Sequence, residues 1–435
     1  MSKPSKIKTE NLGVSTNSWF LSKLGGRHRH KVASLVREMS DKYSSYHGID
    51  RRAFLKTASG LAVVCLAMNK VFNDVFAVSM AEAADRDLAN ELAEARSKVS
   101  IFDNQTGHAS SRQHFAPLSI PGNKPISSFE KYQRDTYFKL LFSDSDTSAA
   151  VLNDASPDDL MASVLTFAEM NSTRKSNEKF SQRLLSRITV NPNKSGWMDD
   201  VDLAIESIHP DSWTLAMIPG QNQVLHRIDD EKIVYPFYEK CLKSGITTVC
   251  VKQRMPNDCE VPLTKGATLF AGFRDLAKAA KDWPGISFVV ARAGLALNLD
   301  CDNAIAKFET TGQISWTTVV VRCRSSGGLK NIYADLSTAF AHFALQDPRF
   351  AAALLGQLVN EMGSDAVLWG TDSIWLGGPQ WQIEAFQRIE IPDNMLKTQK
   401  WKTNLGGPNS LLKKKILGQN AAALYKYKFV EMGKG

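Results

Sequence analysis

The sequence predicts an α/β fold closed into a (β/α)8 (TIM) barrel. Eight short apolar or β-branched runs recur between residues 99 and 369, with helical segments between them. Runs of that kind suit strands covered on both faces, as in a parallel sheet, and eight alternating units favour closure. No G-x-G-x-x-G follows the first run, which argues against a doubly wound open sheet.

The strands are expected at 99–103, 149–152, 188–191, 213–218, 247–251, 286–291, 332–336 and 367–369. Candidate helices lie at 157–170, 198–207, 230–244, 270–282, 302–310 and 348–362, several opening with Asp or Pro, residues suited to a first helical turn. A polar helical stretch at 85–97 precedes the first strand. Residues 104–147 read as a long first loop rich in Pro, Ser and Asn, capping the barrel mouth. The part from 377 to 435 returns to helices, with a break at Gly406-Gly407-Pro408. No internal repeat or second domain is visible.

The 435 residues are 43% hydrophobic and 23% charged, a globular composition with a formal net charge of +8. Residues 1–56 hold 12 Lys/Arg against 4 Asp/Glu, which leaves 41 of each sign in the remainder. The excess is local, so a nucleic-acid-binding body is not expected.

Residues 50–56 run Asp-Arg-Arg-Ala-Phe-Leu-Lys, followed by an apolar stretch at 58–68, Lys70, and Ala81-Glu82-Ala83. Basic, apolar, then small-x-small is the layout of an export signal, and Arg51-Arg52 before Phe54-Leu55-Lys56 is similar to the twin-arginine type. The 11 apolar residues would span ~16 Å of helix against a ~30 Å hydrocarbon core, too short for a stable membrane anchor. The expectation is therefore a leader at 1–83, a mature barrel at 84–435, cleavage after Ala83, and a periplasmic location reached through the twin-arginine machinery. A buried helix with basic flanks is the competing reading. Residues 1–49 read as a solvated tail, and the cations around His28 and His30 argue against a metal pair there.

Of six cysteines, Cys65 falls in the leader; no C-x-x-C occurs, so a zinc ribbon or redox dithiol is not expected. Cys250, inside Thr-Thr-Val-Cys-Val, reads as strand packing.

Barrel sites sit at the carboxyl ends of strands. There the sequence offers Gln105, Thr106, Gly107 and His108 after strand 1, Lys252 after strand 5, and Arg292 after strand 6. Asp335 ends strand 7, and Asp372 follows strand 8. A carboxylate on a Gly-flanked strand rim is expensive to bury without a ligand, cation or hydrogen-bond network, so Asp372 is the leading candidate; capping the next helix is its plainer role. No Gly-x-Ser-x-Gly and no His-Glu-x-x-His appears.

Leu368-Trp369-Gly370-Thr371-Asp372-Ser373-Ile374-Trp375 and Gly378-Pro379-Gln380-Trp381 resemble the closing signature of amidohydrolase-related proteins, a group that includes metal-dependent decarboxylases. Ile416-Leu417-Gly418-Gln419-Asn420 resembles its terminal helix, and Phe102-Asp103-Asn104-Gln105-Thr106, Gly196-Trp197-Met198 and Tyr235-Pro236-Phe237 resemble an exported branch. The resemblance spans roughly 98–428. It implies a metal-dependent-hydrolase type of barrel in which His and Asp hold one divalent cation, Zn or Mn, that activates water or polarises a substrate oxygen. It carries the strand-8 metal ligand onto Asp372. At the other expected ligand positions stand Gln105 and Gly107 on strand 1, Lys252 on strand 5 and Arg292 on strand 6, with His108 one residue late.

Those replacements change the electrostatics. Unit charges ~4 Å apart interact by ~4 kcal/mol at an effective dielectric of ~20, and a dication doubles that. Inward-facing Lys252 and Arg292 would repel a metal beside Asp372 and attract an anionic substrate instead. A lysine desolvated near an arginine can form a Schiff base; a salt bridge from Lys252 to Asp335 or Asp372 is the plainer expectation.

Three functions are carried forward. One is a hydrolase or decarboxylase-like lyase on a small carboxylate or cyclic ester, with Asp372 and Lys252 catalytic and Arg292, Gln105, His108 and Asp335 binding substrate. The second is an inactive relative that binds a small anion through Lys252 and Arg292. The third is an accessory barrel exported with a partner. A homodimer is a further expected arrangement.

Overall fold

The structure is a computed structural model describing residues 28–110, 129–154, 165–217, 226–253, 273, 275–295 and 299–430. Eight strands, β1 (Ile101–Thr106), β2 (Thr147–Asn153), β3 (Leu184–Val190), β4 (Ser212–Met217), β5 (Thr248–Gln253), β6 (Ser287–Val290), β7 (Ile332–Asp335) and β8 (Val367–Leu368), lie side by side in chain order. Every neighbouring pair is parallel. The ring is drawn together at its ends by a parallel bridge from Thr106 to Ser373 and by backbone bonds from Asn104 N to Trp369 O (2.9 Å) and Asp372 N to Gln105 O (2.9 Å). This is the (β/α)8 barrel the sequence predicts.

The strand boundaries differ where polar residues face inward. β1 continues through Asn104, Gln105 and Thr106, all buried, so these residues belong to the wall of the barrel and not to a loop. β3 starts at Leu184, taking in Arg187. Helices Ser315–Ser325 and Ser337–Gln346 are additional to those expected. The expected helices at 157–170 and 270–282 lie partly outside the described residues, as does Cys259; within them the chain is helical over Phe167–Lys175 and Leu276–Asp282. The five described cysteines are free thiols.

Inside the barrel, Phe102, Ala149, Val151, Leu185, Cys250, Val289 and Leu368 form one apolar cluster, against which Tyr425, Tyr427 and Phe429 of the C-terminal segment pack. The Tyr425 ring stacks on Phe102 at 5.4 Å and 15°. Aromatic side chains returning from the far end of the sequence thus fill the interior that the small strand residues leave open.

Residues 29–97 pack on the outside. Helix Arg29–Tyr46 buries Val32, Val36, Met39 and Tyr43, a spacing of four, three and four that forms one helical stripe; this corrects the solvated-tail reading for that stretch, residues 1–27 lying outside the described residues. Asp50 caps the next turn by accepting from Arg52 N and Ala53 N. Thr57 caps helix Ala58–Phe72, whose Leu61, Val63, Val64, Ala67 and Met68 are buried. The stretch predicted as a signal core is here an interior helix. The Asn69 amide clamps the backbone of Phe76 from both sides (2.7 and 2.9 Å). Phe76 forms an antiparallel bridge with Ile389, framed by Ala77 N to Arg388 O (2.7 Å) and Glu390 N to Val75 O (2.8 Å). Among the described residues no helix is long and apolar enough to cross a membrane.

Candidate functional site

The carboxyl ends of β7 and β8 bring two acids together. Asp372 holds a left-handed backbone (φ 51°) just beyond β8. Its Oδ2 accepts from Thr338 N at 2.8 Å and from the Thr338 hydroxyl, so its orientation is set by the start of helix Ser337–Gln346. Asp335 ends β7 and accepts from Ser337 N (3.2 Å) and Ser337 Oγ. Burial pushes Asp335 up to about 6; the Ser337 hydroxyl and Arg187 oppose this and Asp372 adds to it. Gly370 makes room for the acid: a Cβ there would lie 2.5 Å from Asp335 Oδ1 and 3.1 Å from Gln105 Cβ.

Beneath them lies Arg187, fully buried on β3. Its Nη1 donates to Gln105 Oε1 (2.8 Å), Nη2 to Asn104 Oδ1 (2.7 Å) and to the Tyr425 hydroxyl (2.6 Å), and Nε to Ser212 Oγ (3.1 Å). Burial disfavours the cation, but its polar surroundings, with Asp335 among them, hold the guanidinium above its ordinary range. Gln105, expected to bind substrate, is therefore engaged as a strut for Arg187. The sequence reading missed Arg187 by starting strand 3 four residues late, at Ile188 instead of Leu184. The available signal was an arginine in inward register within Leu-Leu-Ser-Arg-Ile-Thr-Val.

Lys252 occupies the end of β5 and is 6% exposed. It makes no hydrogen bond, and no ion pair within 4 Å, with the described residues; the expected bridge to Asp335 or Asp372 does not form. Burial pulls its ammonium below the ordinary lysine range; Asp372 opposes this, and Arg292 and Arg187 reinforce it. Of these, Arg292 lines the same cleft as Lys252. Arg292 is half-buried on a left-handed turn (φ 56°) directly after β6. It shares with Lys252, Phe273 and Leu295 a narrow cleft with about 20 Å³ of accessible space.

His108 is elsewhere. It is buried with Nε2 3.0 Å from Thr173 Oγ1 and its ring 5.3 Å from that of Tyr137. Burial, chiefly, pulls its imidazole down to about 4. It lines a separate polar pocket with Gln133, Arg134, Glu169 and Ser172. At Gly107 a Cβ would meet Trp375 Nε1 at 2.9 Å, so a side chain there would have to displace that indole. Among the described residues, no group of three or more His, Cys, Asp or Glu is placed to hold a metal ion.

A parallel barrel with acids and cations gathered at the carboxyl ends of its strands defines the class: a TIM barrel with a charged central cup. Residues 222–427 match the model of the amidohydrolase family. No curated protein sequence matches it. Similar solved structures include a TIM-barrel protein of Bordetella bronchiseptica (14% identity, 75% of this chain and 99% of that one, TM-score 0.48). A second is 5-carboxyvanillate decarboxylase of Sphingomonas paucimobilis (11%, 76% and 100%, 0.42). A third is a dihydroxybenzoic acid decarboxylase of Polaromonas sp. JS666, which holds manganese and 2-nitroresorcinol (14%, 75% and 97%, 0.42). At these scores the likenesses carry no argument about this chain, whose fold rests on its own strand order.

Proposed function

We propose that the chain is an amidohydrolase-related hydrolase or decarboxylase-like lyase for a small carboxylate, working without the divalent metal that the family resemblance implies. The shared cleft of Lys252 and Arg292 is the observation that carries this reading. A divalent cation does not fit the donor set. Gln105 offers a neutral amide already given to Arg187, an imidazole at position 107 would have to displace the Trp375 indole, and lysine and arginine stand where ligands would be. The cleft suits an anion: Arg292 carries the planar guanidinium that matches a carboxylate, with the Lys252 amine beside it. Asp372, held at Oδ2 by Thr338, is the acid assigned to proton transfer in this reading.

Thermal shift with a panel of small carboxylates, malonate included, tests this. Stabilisation that Arg292→Ala abolishes, in protein free of stoichiometric zinc or manganese, is the expected result; tightly bound metal at one per chain would overturn it. Stabilisation without turnover of any ester, lactone or oxo acid would favour the anion-binding relative.

The twin-arginine motif supports export to the periplasm. The burial of helix Ala58–Phe72 supports transport with the segment kept in place. Fractionation of cells expressing the protein, with Arg51→Lys and Arg52→Lys together as the export-blocked control, tests the location.

A further inference from the structure

Lys252 stands apart from the other charged groups of the cup. Asp372 Oδ2 is committed to Thr338, Asp335 to Ser337, and Arg187 to Gln105, Asn104, Ser212 and Tyr425. The Lys252 amine, on the same barrel-facing side of β5 as Cys250, has no such engagement among the described residues, although it is almost entirely withdrawn from water. An unpaired buried ammonium is costly. The cost is avoided when the amine is neutral, and a neutral amine has a lone pair available for attack on a carbonyl. Two guanidiniums act on it from nearby, which favours the neutral form further.

We propose that Lys252 forms an imine with a small 3-oxo carboxylate whose carboxylate faces Arg292. This deepens the small-carboxylate reading of the cup and rests on it. Lys252 Nζ attacks the C3 carbonyl carbon, and the carbinolamine loses its hydroxyl as water to give an iminium. The C1–C2 bond then breaks: carbon dioxide leaves, and the bonding pair moves through C2–C3 onto nitrogen as an enamine. A proton delivered through the Asp372 carboxyl adds to C2. Water hydrolyses the resulting iminium, releasing a methyl ketone and the free amine. In sum, one 3-oxo carboxylate and one proton become one ketone and one carbon dioxide, with no oxidant or reductant. Imine formation supplies the electron sink that a metal supplies in other decarboxylations.

Reductive trapping tests the step on the full-length protein. Acetoacetate with cyanoborohydride is expected to leave an isopropyl adduct that peptide mapping places on Lys252, in preference to every surface lysine. Excess malonate, which carries carboxylates but no ketone, is expected to block it. Lys252→Arg offers no amine able to form an imine and should lose the adduct. The mapping in the unaltered protein decides the matter should that variant not fold. Malonate stabilisation without an adduct on Lys252 overturns the imine and leaves the carboxylate site standing. Labelling confined to surface lysines also overturns the imine. If malonate neither stabilises nor protects, and no adduct forms, both readings fall.

Discussion

Glu82 and Arg388 meet 2.8 Å apart in the interior, with side chains 3% and 0% exposed, and Arg96 reaches the same Glu82 oxygen at 3.0 Å. Glu82 belongs to the predicted small-x-small site, whereas Arg388 ends helix Gln380–Arg388 behind β8. Without Glu82 the nearest acid to Arg388 is Glu384, at 3.7 Å. Removing one member of a buried pair typically costs ~3–5 kcal/mol, because the other charge is left uncompensated. Glu82→Ala should therefore lower stability by about that much in urea unfolding. A chain beginning at Ala84 should be less stable still, since it also uncovers the face against helix Ala58–Phe72. A truncated protein as stable as the full chain would sink this assignment.

Tyr425 tethers the cup from below. Its hydroxyl accepts from Arg187 (2.6 Å) and donates to Asn104 Oδ1 (2.9 Å). Tyr425→Phe keeps the stacking on Phe102 but leaves a buried guanidinium one acceptor short, a loss of about 1–3 kcal/mol. Its melting temperature should fall. Malonate binding should weaken less than in Arg292→Ala, because Tyr425 acts through Arg187 and not on the ligand. Equal loss of binding in the two variants would count against that division.

Asp103 ties β1 to the turn after β8. It accepts from Gln105 N (3.1 Å), Thr371 N (3.0 Å) and the Thr371 hydroxyl. Burial pushes its carboxyl up to about 8, against the pull of those bonds. The folded chain thus keeps a proton that an unfolded aspartate releases near 3.9. The associated stability is fully present below about pH 4 and is lost as pH rises towards about 8. Asp103→Asn mimics the protonated acid and can still donate to the Thr371 oxygen. Its advantage over wild type should grow with pH across that window, by more than ~1.4 kcal/mol. Denaturant midpoints at several pH values measure the difference; parallel profiles would refute the shift.

Restoring an imidazole at the second strand-1 position should not restore a metal. Gly107→His forces the new Cβ onto the Trp375 indole, which itself stacks on Tyr132 at 5.4 Å. Overpacking of this kind costs about 1–3 kcal/mol. The variant should melt lower and take up no zinc in equilibrium dialysis; stoichiometric uptake would contradict the steric argument.

The barrel was readable because its strands are continuous apolar runs, and covered parallel strands leave that pattern wherever they occur. The rim positions of Lys252, Arg292, Asp335 and Asp372 followed from the same pattern, since strand ends locate the mouth. What escaped was polar and long-range. Asn104, Gln105 and Arg187 lie in strands yet satisfy one another across the interior, and Tyr425 joins them from residues 238 positions beyond Arg187. Local periodicity carries no trace of such a pairing. Helix Arg29–Tyr46 escaped because its apolar stripe is narrow and its charges are many, although Val32, Val36, Met39 and Tyr43 already spelled it out.

The tail that fills the barrel floor also sets an order of assembly. Tyr425 is the last of the Arg187 partners to leave the ribosome. Until then, a nascent chain that has already made all eight strands still holds a cation whose hydrogen-bond shell is incomplete and a Phe102 ring with nothing stacked on it. Completion of the interior consequently follows the synthesis of all eight strands.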